Sequence, residues 1–287
     1  MFTQQQDIIY GRKDGMALTL DVFTPAQNAN GLGLIFVVSG GWFSSHDHIA
    51  DYLPVYIAPL IKRGYTTFAV VHGSQPKYAI PETIGDMKRA VRFIRHHAAN
   101  YGVDPNRLGI YGASAGGHLS LMIGLTGDEG DAQSEDAVER EPSRVAAVGE
   151  FYGPTDFLNY GQTGVDVLQQ GHLADLKAPF DFTEFDEETQ SFFPVADVKR
   201  IREIGRKISP INHVQADAPP TIMIHGDGDA SVPLQQSQIM ARALEEADVK
   251  NKLVVVSGGG HGWDDMSGEM AQLLDWFDVH LSQHEIV

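Results

Sequence analysis

Short apolar runs alternate with helix-patterned segments along most of this chain, and this alternation limits the fold more than any other feature. Apolar or alternating runs predict strands at residues 16–23, 32–38, 66–71, 108–111, 145–152, 221–225 and 253–257. Apolar residues recur at three- and four-residue steps in segments that predict helices at 49–63, 81–99, 117–125, 234–247 and 266–281. Strands that alternate with helices form a mostly parallel sheet with helices on both faces. We therefore predict an α/β fold whose central sheet has about eight strands.

The alternation is interrupted between about residues 157 and 207, where phenylalanines stand among many acids. We predict that this segment is a small cap insertion of short helices over the sheet edge. A stretch at about 127–144 is strongly acidic, and we predict a solvated surface loop there, because charge runs usually stay in water. The chain has 287 residues, a length that one α/β domain with an insertion reaches. We therefore predict a single domain over residues 1–287.

Composition excludes several classes of function. The sequence has no cysteine, which excludes thiol nucleophiles, zinc–thiolate sites and disulfides. The net charge of −17 opposes binding to nucleic acid or to an anionic membrane surface. No apolar run reaches the roughly 18 residues of a membrane span. The first residues lack a signal-peptide pattern, which favours the cytoplasm, although prior removal of such a peptide leaves localisation open. Assembly into a homo-oligomer is also left open.

A serine between glycines follows the strand predicted at 108–111. Gly112-Ala113-Ser114-Ala115-Gly116 matches the G-x-S-x-G nucleophile elbow, in which the serine sits on a tight turn between a strand and a helix. Glycines leave room there for a close backbone approach. A helix-compatible run follows, and the amino end of a helix favours developing negative charge. The sequence therefore predicts Ser114 as a nucleophile.

Glycine-rich loops after the last two predicted strands offer partners for this serine. His261 lies in the loop at 257–263, where it can lean over the carboxyl edge of the sheet. Asp229 lies in the loop at 225–233 and is predicted to orient the histidine. The order serine, acid, histidine is typical of α/β-hydrolases. Other acids of these loops remain alternatives to Asp229: Asp227, Asp264 and Asp265.

A further small-residue turn follows the buried strand at 32–38. Ser39-Gly40-Gly41-Trp42-Phe43 can expose backbone N–H groups to a bound substrate. We predict an oxyanion hole made by the N–H of Ala115 together with that of Trp42 or Gly41, because such donors stabilise the charge of the tetrahedral species. Phe43 and Trp263, with Trp42 and the phenylalanines of the cap, are predicted to line a pocket for the acyl or alcohol group. Packing of the cap on the core is the alternative role for these aromatic rings.

At these residues the chain resembles the esterase and lipase branch of the α/β-hydrolases, close to prolyl-oligopeptidase-like and feruloyl- or acetyl-esterase-like enzymes. The elbow G-x-S-A-G-G-H of that family is similar to residues 112–118, and its H-G-x-x-D-x-x-V-P block is similar to 225–233. The second match implies that Asp229 is the catalytic acid. The family pattern H-G-G-G/A-W is similar to 39–43, with Ser39 in place of the histidine and Trp42 in place of the third small residue.

The resemblance implies an α/β-hydrolase fold and a serine carboxylesterase that acts on small acyl or aryl esters, among them acetyl or feruloyl groups on carbohydrates. We expect a small-molecule ester as partner, no cofactor and no metal, since His46-Asp47-His48 matches no established metal-binding pattern. Two alternatives remain. One is a serine peptidase of the prolyl-oligopeptidase type, and the other is a non-catalytic small-molecule-binding protein on the same fold.

Overall fold

The structure is a computed structural model that describes residues 1–169 and 176–282. The strands are β1 (Phe2–Lys13), β2 (Met16–Pro25), β3 (Gly33–Val38), β4 (Thr66–Val71), β5 (Leu108–Ala113), β6 (Ala147–Phe151), β7 (Thr183–Asp186), β8 (Ser191–Pro194), β9 (Thr221–Gly226) and β10 (Asn251–Val256). All but β7 and β8 form one sheet, in the order β1-β2-β4-β3-β5-β6-β9-β10. The pairs β1–β2 and β2–β4 are antiparallel and the remaining pairs of this sheet are parallel. The predicted mostly parallel, eight-stranded sheet is confirmed.

Helices cover both faces of the sheet. They are α1 (Ile49–Tyr52), α2 (Ala58–Arg63), α3 (Ile80–His96), α4 (Ala115–Thr126), α5 (Val198–Ile208), α6 (Gln235–Glu246) and α7 (Ser267–Ser282). A π turn at Leu53–Ile57 joins α1 to α2, and short 3-10 turns lie at His46–His48, Ala98–Tyr101, Ala178–Phe180 and Pro210–His213. Within the described ranges, every helix is too short or too polar to cross a membrane.

Two apolar cores lie on opposite faces of the sheet, as the pleat of a strand requires. In β3, Ile35 and Val37 belong to one core, and Leu34 and Phe36 belong to the other. The first core also takes residues from α3, α4 and α6, and the second takes residues from α2 and α7. The continuous apolar run of β3 follows from burial on both faces, which is typical of central parallel strands.

The segment at 157–207 contains more β-structure than predicted. Beyond the turn at Ala178–Phe180 and helix α5, it forms an antiparallel hairpin of β7 and β8. All residues of both hairpin strands are exposed, so the hairpin buries little apolar surface and has no alternating pattern in the sequence. The prediction of short helices alone was therefore incomplete, and residues 170–175 of this segment lie outside the described residues. The division of the chain into a single domain stays a prediction.

The acidic stretch at about 127–144 packs along the basic side of α3. Asp128 pairs with Lys88 at 3.0 Å and with Arg92, and Asp136 pairs with Arg89 at 2.6 Å. These contacts tie the stretch to a helix, whereas the sequence predicted a loop in water. The prediction considered only the acidic residues of the stretch. Their cationic partners lie 36 to 47 positions away in the chain.

Candidate active site

The turn that carries Ser114 is strained. Ser114 has φ 55° and ψ −120°, a conformation that residues with a Cβ rarely adopt. A Cβ at Gly112 would lie 2.5 Å from the carbonyl carbon of Gly116, and a Cβ at Gly116 would lie 2.8 Å from Val37 O. The backbone of Ser114 is fixed by its N–H, which donates to Phe151 O at 2.8 Å. The glycines therefore let β5 turn sharply into α4 and present the serine hydroxyl at the end of the sheet.

Three predicted residues meet at this edge of the sheet. His261 Nε2 lies 2.8 Å from Ser114 Oγ, and His261 Nδ1 lies 2.7 Å from Asp229 Oδ2. The carboxylate can only accept, so Nδ1 carries the proton and Nε2 is free to accept the proton of the serine. The arrangement has the geometry of a nucleophile, a general base and an orienting acid.

Asp229 is held in one orientation from behind. Its side chain is fully buried, and Oδ1 accepts the N–H groups of Ser231 at 2.8 Å and Val232 at 2.9 Å. Burial raises the pKa of Asp229, but hydrogen bonds with His225 and His261 outweigh it and hold the pKa below its ordinary value. The carboxylate is therefore ionised and aimed at the imidazole.

The alternative acids have other partners. Asp227 accepts the N–H of Gly258 at 2.6 Å, and Asp265 accepts the N–H of Ser267 at 3.0 Å at the start of α7. The contact of Asp227 joins the loop after β9 to the loop that carries His261. Its role is to hold the two loops together, and it does not contact the imidazole in this structure.

The predicted oxyanion turn is a tight reversal after β3. Gly40 and Phe43 exchange backbone hydrogen bonds of 2.9 Å, while Gly41 and Trp42 between them both have positive φ, 56° and 57°. A tryptophan in this region is uncommon. Among the described residues, no hydrogen-bond acceptor is found for the N–H groups of Gly41 and Trp42, which suits their predicted role as donors to a ligand. The role of these donors and of Ala115 N–H stays a prediction.

The side chain of Trp42 anchors this turn to the elbow helix. Its indole is 3% exposed and its Nε1 donates to His118 Nδ1 at 3.1 Å, while His118 Nε2 donates to Ile208 O at 2.7 Å. Burial lowers the pKa of His118 to about 4, so the ring is neutral and can both accept and donate. The indole is thus part of the core, and so is the ring of Phe182 in the cap, which is 4% exposed.

The residue in place of the family's oxyanion-loop histidine also has a specific partner. Ser39 Oγ lies 2.9 Å from His72 Nε2, and His72 Nδ1 lies 2.8 Å from Gly73 O. A carbonyl only accepts, so Nδ1 donates to Gly73 and Nε2 accepts the proton of Ser39. Burial lowers the pKa of His72 to about 4. Ser39, which replaces the family histidine, and His72 are therefore one hydrogen-bonded unit behind the oxyanion turn.

The ring of Tyr152 packs against His261, and the ring of Trp263 packs in turn against Tyr152. Phe43 is 42% exposed, and the indole of Trp263 packs edge-on against Tyr152 at 6.0 Å. Tyr152 lies closest to the base, with its ring centroid 4.6 Å from that of His261, and its hydroxyl is 2.8 Å from that of Tyr56. In the sequence, Tyr152 is only the last residue of the strand predicted at 145–152. Its φ of 43° is a feature that the sequence does not show.

A second set of polar residues lies buried behind the acid and was also missed. Glu150, Ser237 and His225 are each fully buried and lead by hydrogen bonds from β6 to the neighbourhood of Asp229. A glutamate inside the apolar run at 145–152 was the available sign in the sequence, because buried acids are rare without partners.

One group of three donors in the described residues could hold a metal ion: Asp7, Asp21 and His46, whose ligand atoms lie within 4.8 Å of one another. His46 Nε2 already donates to the buried Asp21 at 3.1 Å. His46 thus turns toward β1 and β2, and away from the His46-Asp47-His48 arrangement considered from the sequence.

The comparisons with known proteins agree with this geometry. The family model BD-FAE matches residues 20–244. The "Probable carboxylic ester hydrolase LipM" of Mycobacterium tuberculosis is 29% identical over 239 residues, which cover 83% of this chain and 51% of LipM. The chain thus spans about half the length of this curated relative.

Two solved structures share the fold along nearly the whole chain. A "truncated form of carbohydrate esterase from gut microbiota" is 26% identical, with a TM-score of 0.77 over 98% of this chain and 97% of its own. An "acetyl ester-xyloside bifunctional hydrolase" from Caldicellulosiruptor lactoaceticus is 24% identical, with a TM-score of 0.70 over 97% and 95%, and shows the fold alone. These likenesses confirm the resemblance to α/β-hydrolase esterases. Because the family match extends from the second strand to the sixth helix, the chain belongs to the BD-FAE family.

Proposed function

We propose that this protein is a serine carboxylesterase that cleaves small acyl groups from carbohydrate esters. The observation that carries the proposal is the continuous hydrogen-bonded series Ser114–His261–Asp229, with bonds of 2.8 and 2.7 Å, on a strained serine turn. Acyl transfer requires the contact between the Ser114 hydroxyl and His261 Nε2, whereas ligand binding alone does not.

The geometry supports a two-step reaction. His261 Nε2 takes the proton as Ser114 Oγ attacks the ester carbonyl, and Asp229 stabilises the imidazolium that forms. The N–H groups of Ala115 and of Gly41 or Trp42 donate to the oxyanion, and one such donor is worth about 3 kcal/mol of the barrier. His261 then returns the proton to the leaving alcohol, and water releases the acid from the acyl-enzyme.

The substrate class rests on the family and on the aromatic residues at the site. The 26% identical esterase from gut microbiota is described as a carbohydrate esterase. In this chain Trp263 packs against Tyr152, which contacts His261, and Phe43 is exposed on the predicted oxyanion turn. Aromatic side chains give sugar rings and aryl groups a flat apolar surface, so we propose acetyl or feruloyl esters of carbohydrates as substrates.

The proposal is tested by hydrolysis of p-nitrophenyl esters from acetate to octanoate, with acetylated xylan and methyl ferulate in parallel, by the wild type and by Ser114→Ala. We expect activity toward short acyl chains that falls by about 10³-fold or more in the variant, because the nucleophile is lost. Turnover of Ser114→Ala at near wild-type rates, or a folded wild type with no activity on any ester, would contradict the proposal. Cleavage of proline amides by the wild type would favour the peptidase alternative.

A further inference from the structure

A buried chain of polar side chains extends from the proposed catalytic acid into the core. His225 Nε2 lies 3.4 Å from Asp229 Oδ2 and 2.8 Å from Val232 O, and His225 Nδ1 lies 2.7 Å from Ser237 Oγ. Ser237 Oγ is in turn 3.2 Å from Glu150 Oε1. The side chains of His225, Ser237 and Glu150 are fully buried, so none of these three residues can touch the substrate.

The hydrogen-bond partners limit where the protons can be. Val232 O only accepts, so His225 Nε2 always carries a proton. Ser237 has one proton for two neighbours. If Ser237 donates to His225 Nδ1, then Glu150 must be protonated and donate to Ser237. If Ser237 donates to an ionised Glu150, then His225 Nδ1 must be protonated and donate to Ser237.

These two arrangements contain the same number of protons and both have zero net charge. They differ only by the concerted movement of one proton from Glu150 through Ser237 to His225. An arrangement with one proton fewer places two lone pairs against each other at hydrogen-bond distance in the core, and an arrangement with one proton more leaves the Ser237 hydroxyl without an acceptor. Both cost free energy.

We propose that Glu150, Ser237 and His225 share one proton and act together as positioning residues for Asp229, so that the loss of this proton adds a step to the pH dependence of ester hydrolysis. This inference rests on the function proposed above only in its second part. The sharing itself is a property of the buried chain.

The surroundings of the chain favour retention of the proton up to about neutral pH. Burial raises the pKa of Glu150 from 4.5 to about 7. Burial lowers the pKa of His225, but the hydrogen bond with Asp229 and the charge of Glu150 outweigh it, and the pKa is raised. Within the described residues no lysine or arginine pairs with Glu150 or Asp229.

His261 faces the chain at its Asp229 end, and three further titratable groups near it are uncharged at neutral pH. Burial raises the pKa values of Tyr152 and Tyr160 and lowers that of His118 to about 4. Once the shared proton is lost, the chain therefore places an uncompensated negative charge behind Asp229. That charge stabilises the imidazolium that His261 becomes in the transition state.

The test compares kcat/KM of the wild type and Glu150→Gln from about pH 5.5 to about pH 9. Glutamine keeps the shape, accepts the Gly153 N–H and donates to Ser237, so it fixes the neutral arrangement. We expect the ratio of wild type to variant to be constant below about pH 6 and to rise through about pH 7 by three- to ten-fold, which is about 0.7–1.4 kcal/mol. Ser237→Ala keeps both titratable groups but removes the hydrogen bonds that link them, so the step is expected to move away from about pH 7.

Ser120→Ala is the matched control, because Ser120 is an equally buried serine whose hydroxyl donates only to Gly116 O, at 2.8 Å. Its ratio to wild type is expected to be flat. A ratio for Glu150→Gln that is flat over the whole range overturns the coupling to catalysis, since a purely structural role would lower the rate equally at every pH.

Proton sharing is tested without any substrate by ¹⁵N NMR of the imidazole rings, with the His225 resonances assigned by their loss in His225→Gln. We expect Nδ1 of His225 to be partly protonated near pH 7 in the wild type and unprotonated throughout in Glu150→Gln. A His225 ring that stays in the neutral Nε2–H form in both proteins overturns the sharing. Because this measurement needs no turnover, it decides the sharing even if the protein hydrolyses no ester.

Discussion

Asp227 and Asp229 stand two positions apart on one loop, and only Asp229 turns toward the imidazole. The sequence favoured Asp229 through the family block at 225–233, and the structure supplies the physical reason. Two backbone N–H groups donate to Oδ1 of Asp229 and leave Oδ2 facing His261. The carboxylate of Asp227 instead accepts the N–H of Gly258.

Asp229→Asn is expected to lower kcat by about 10³- to 10⁴-fold with little change in KM. The backbone donors fix the amide oxygen at the Oδ1 position, so the amide NH₂ faces His261 Nδ1. The imidazole then adopts the tautomer with the proton on Nε2 and cannot accept from Ser114. Steady-state kinetics on p-nitrophenyl acetate check this.

Asp227→Asn is the matched control for that variant. Its amide oxygen can still accept the N–H of Gly258, so we expect kcat within about threefold of the wild type, a change below the roughly 1 kcal/mol of one hydrogen bond. If Asp227→Asn lost activity as completely as Asp229→Asn, the assignment of the orienting acid would be wrong.

The departures from the family pattern show why residue-level prediction had a limit. The sequence shows Ser39 as a departure from the family pattern, but its hydrogen bond to His72 at 2.9 Å joins positions 33 residues apart. The same holds for Glu150 with Ser237. A pairing of side chains across neighbouring elements depends on strand order, which a single sequence leaves undetermined.

At the scale of elements, the predicted strands and helices with strong apolar periodicity are present. The strands that the sequence did not predict, β1 and the hairpin β7–β8, share one property. Strand β1 has mainly exposed residues, pairs along one edge with β2 only, and changes register between Gln5 and Ile8 and between Ile9 and Gly11. Hairpin β7–β8 is exposed throughout. Neither element needs an apolar face, so neither has the alternation by which strands are recognised.

The approach of the loop after β9 to the loop after β10 is an element-level requirement of the site. A Cβ at Gly226 would lie 2.2 Å from Gly259 O and 2.7 Å from Gly260 O. Gly226→Ala must therefore push apart the loops that carry Asp229 and His261. We expect a loss of about 1–3 kcal/mol in the free energy of unfolding and a fall in kcat of about tenfold or more, since small displacements of catalytic groups are costly.

Gly85→Ala provides the comparison, because a Cβ at Gly85 meets nothing within 4 Å on the exposed side of α3. There we expect an increase of about 0.5–1 kcal/mol in stability and unchanged kcat. Urea unfolding and kinetics on both variants give the two readouts. A kcat for Gly226→Ala equal to that of the wild type would mean that the close approach of the two loops is not required for activity.

At the scale of the whole molecule, negative charge is in excess. The cations of α3 that pair with the acidic stretch therefore affect how the stability of the protein changes at low pH. Partial burial raises the pKa of Asp128, but hydrogen bonds from Lys88, the N–H of Gly130 and Arg92 outweigh it and lower the pKa to about 2, from 3.8. A carboxyl group with a lowered pKa in the folded state contributes stability above its unfolded pKa and loses it as pH falls through the folded value. The window for Asp128 therefore runs from about pH 4 down to about pH 2.

Arg92→Gln removes one of these donors, so the pKa of Asp128 should move back toward its ordinary value and the melting temperature should fall less steeply between about pH 4 and pH 2 than in the wild type. At neutral pH the difference in stability between the variant and the wild type should be small, about 0.2–1 kcal/mol, because Asp128 is 44% exposed and solvent screens such pairs.

Arg200→Gln, which removes an exposed arginine paired with Glu184 and Glu203, is the control and should leave the acid slope unchanged. Thermal unfolding at several pH values checks both, and identical acid slopes for Arg92→Gln and wild type would mean that the acidic stretch is not held to α3 through Asp128.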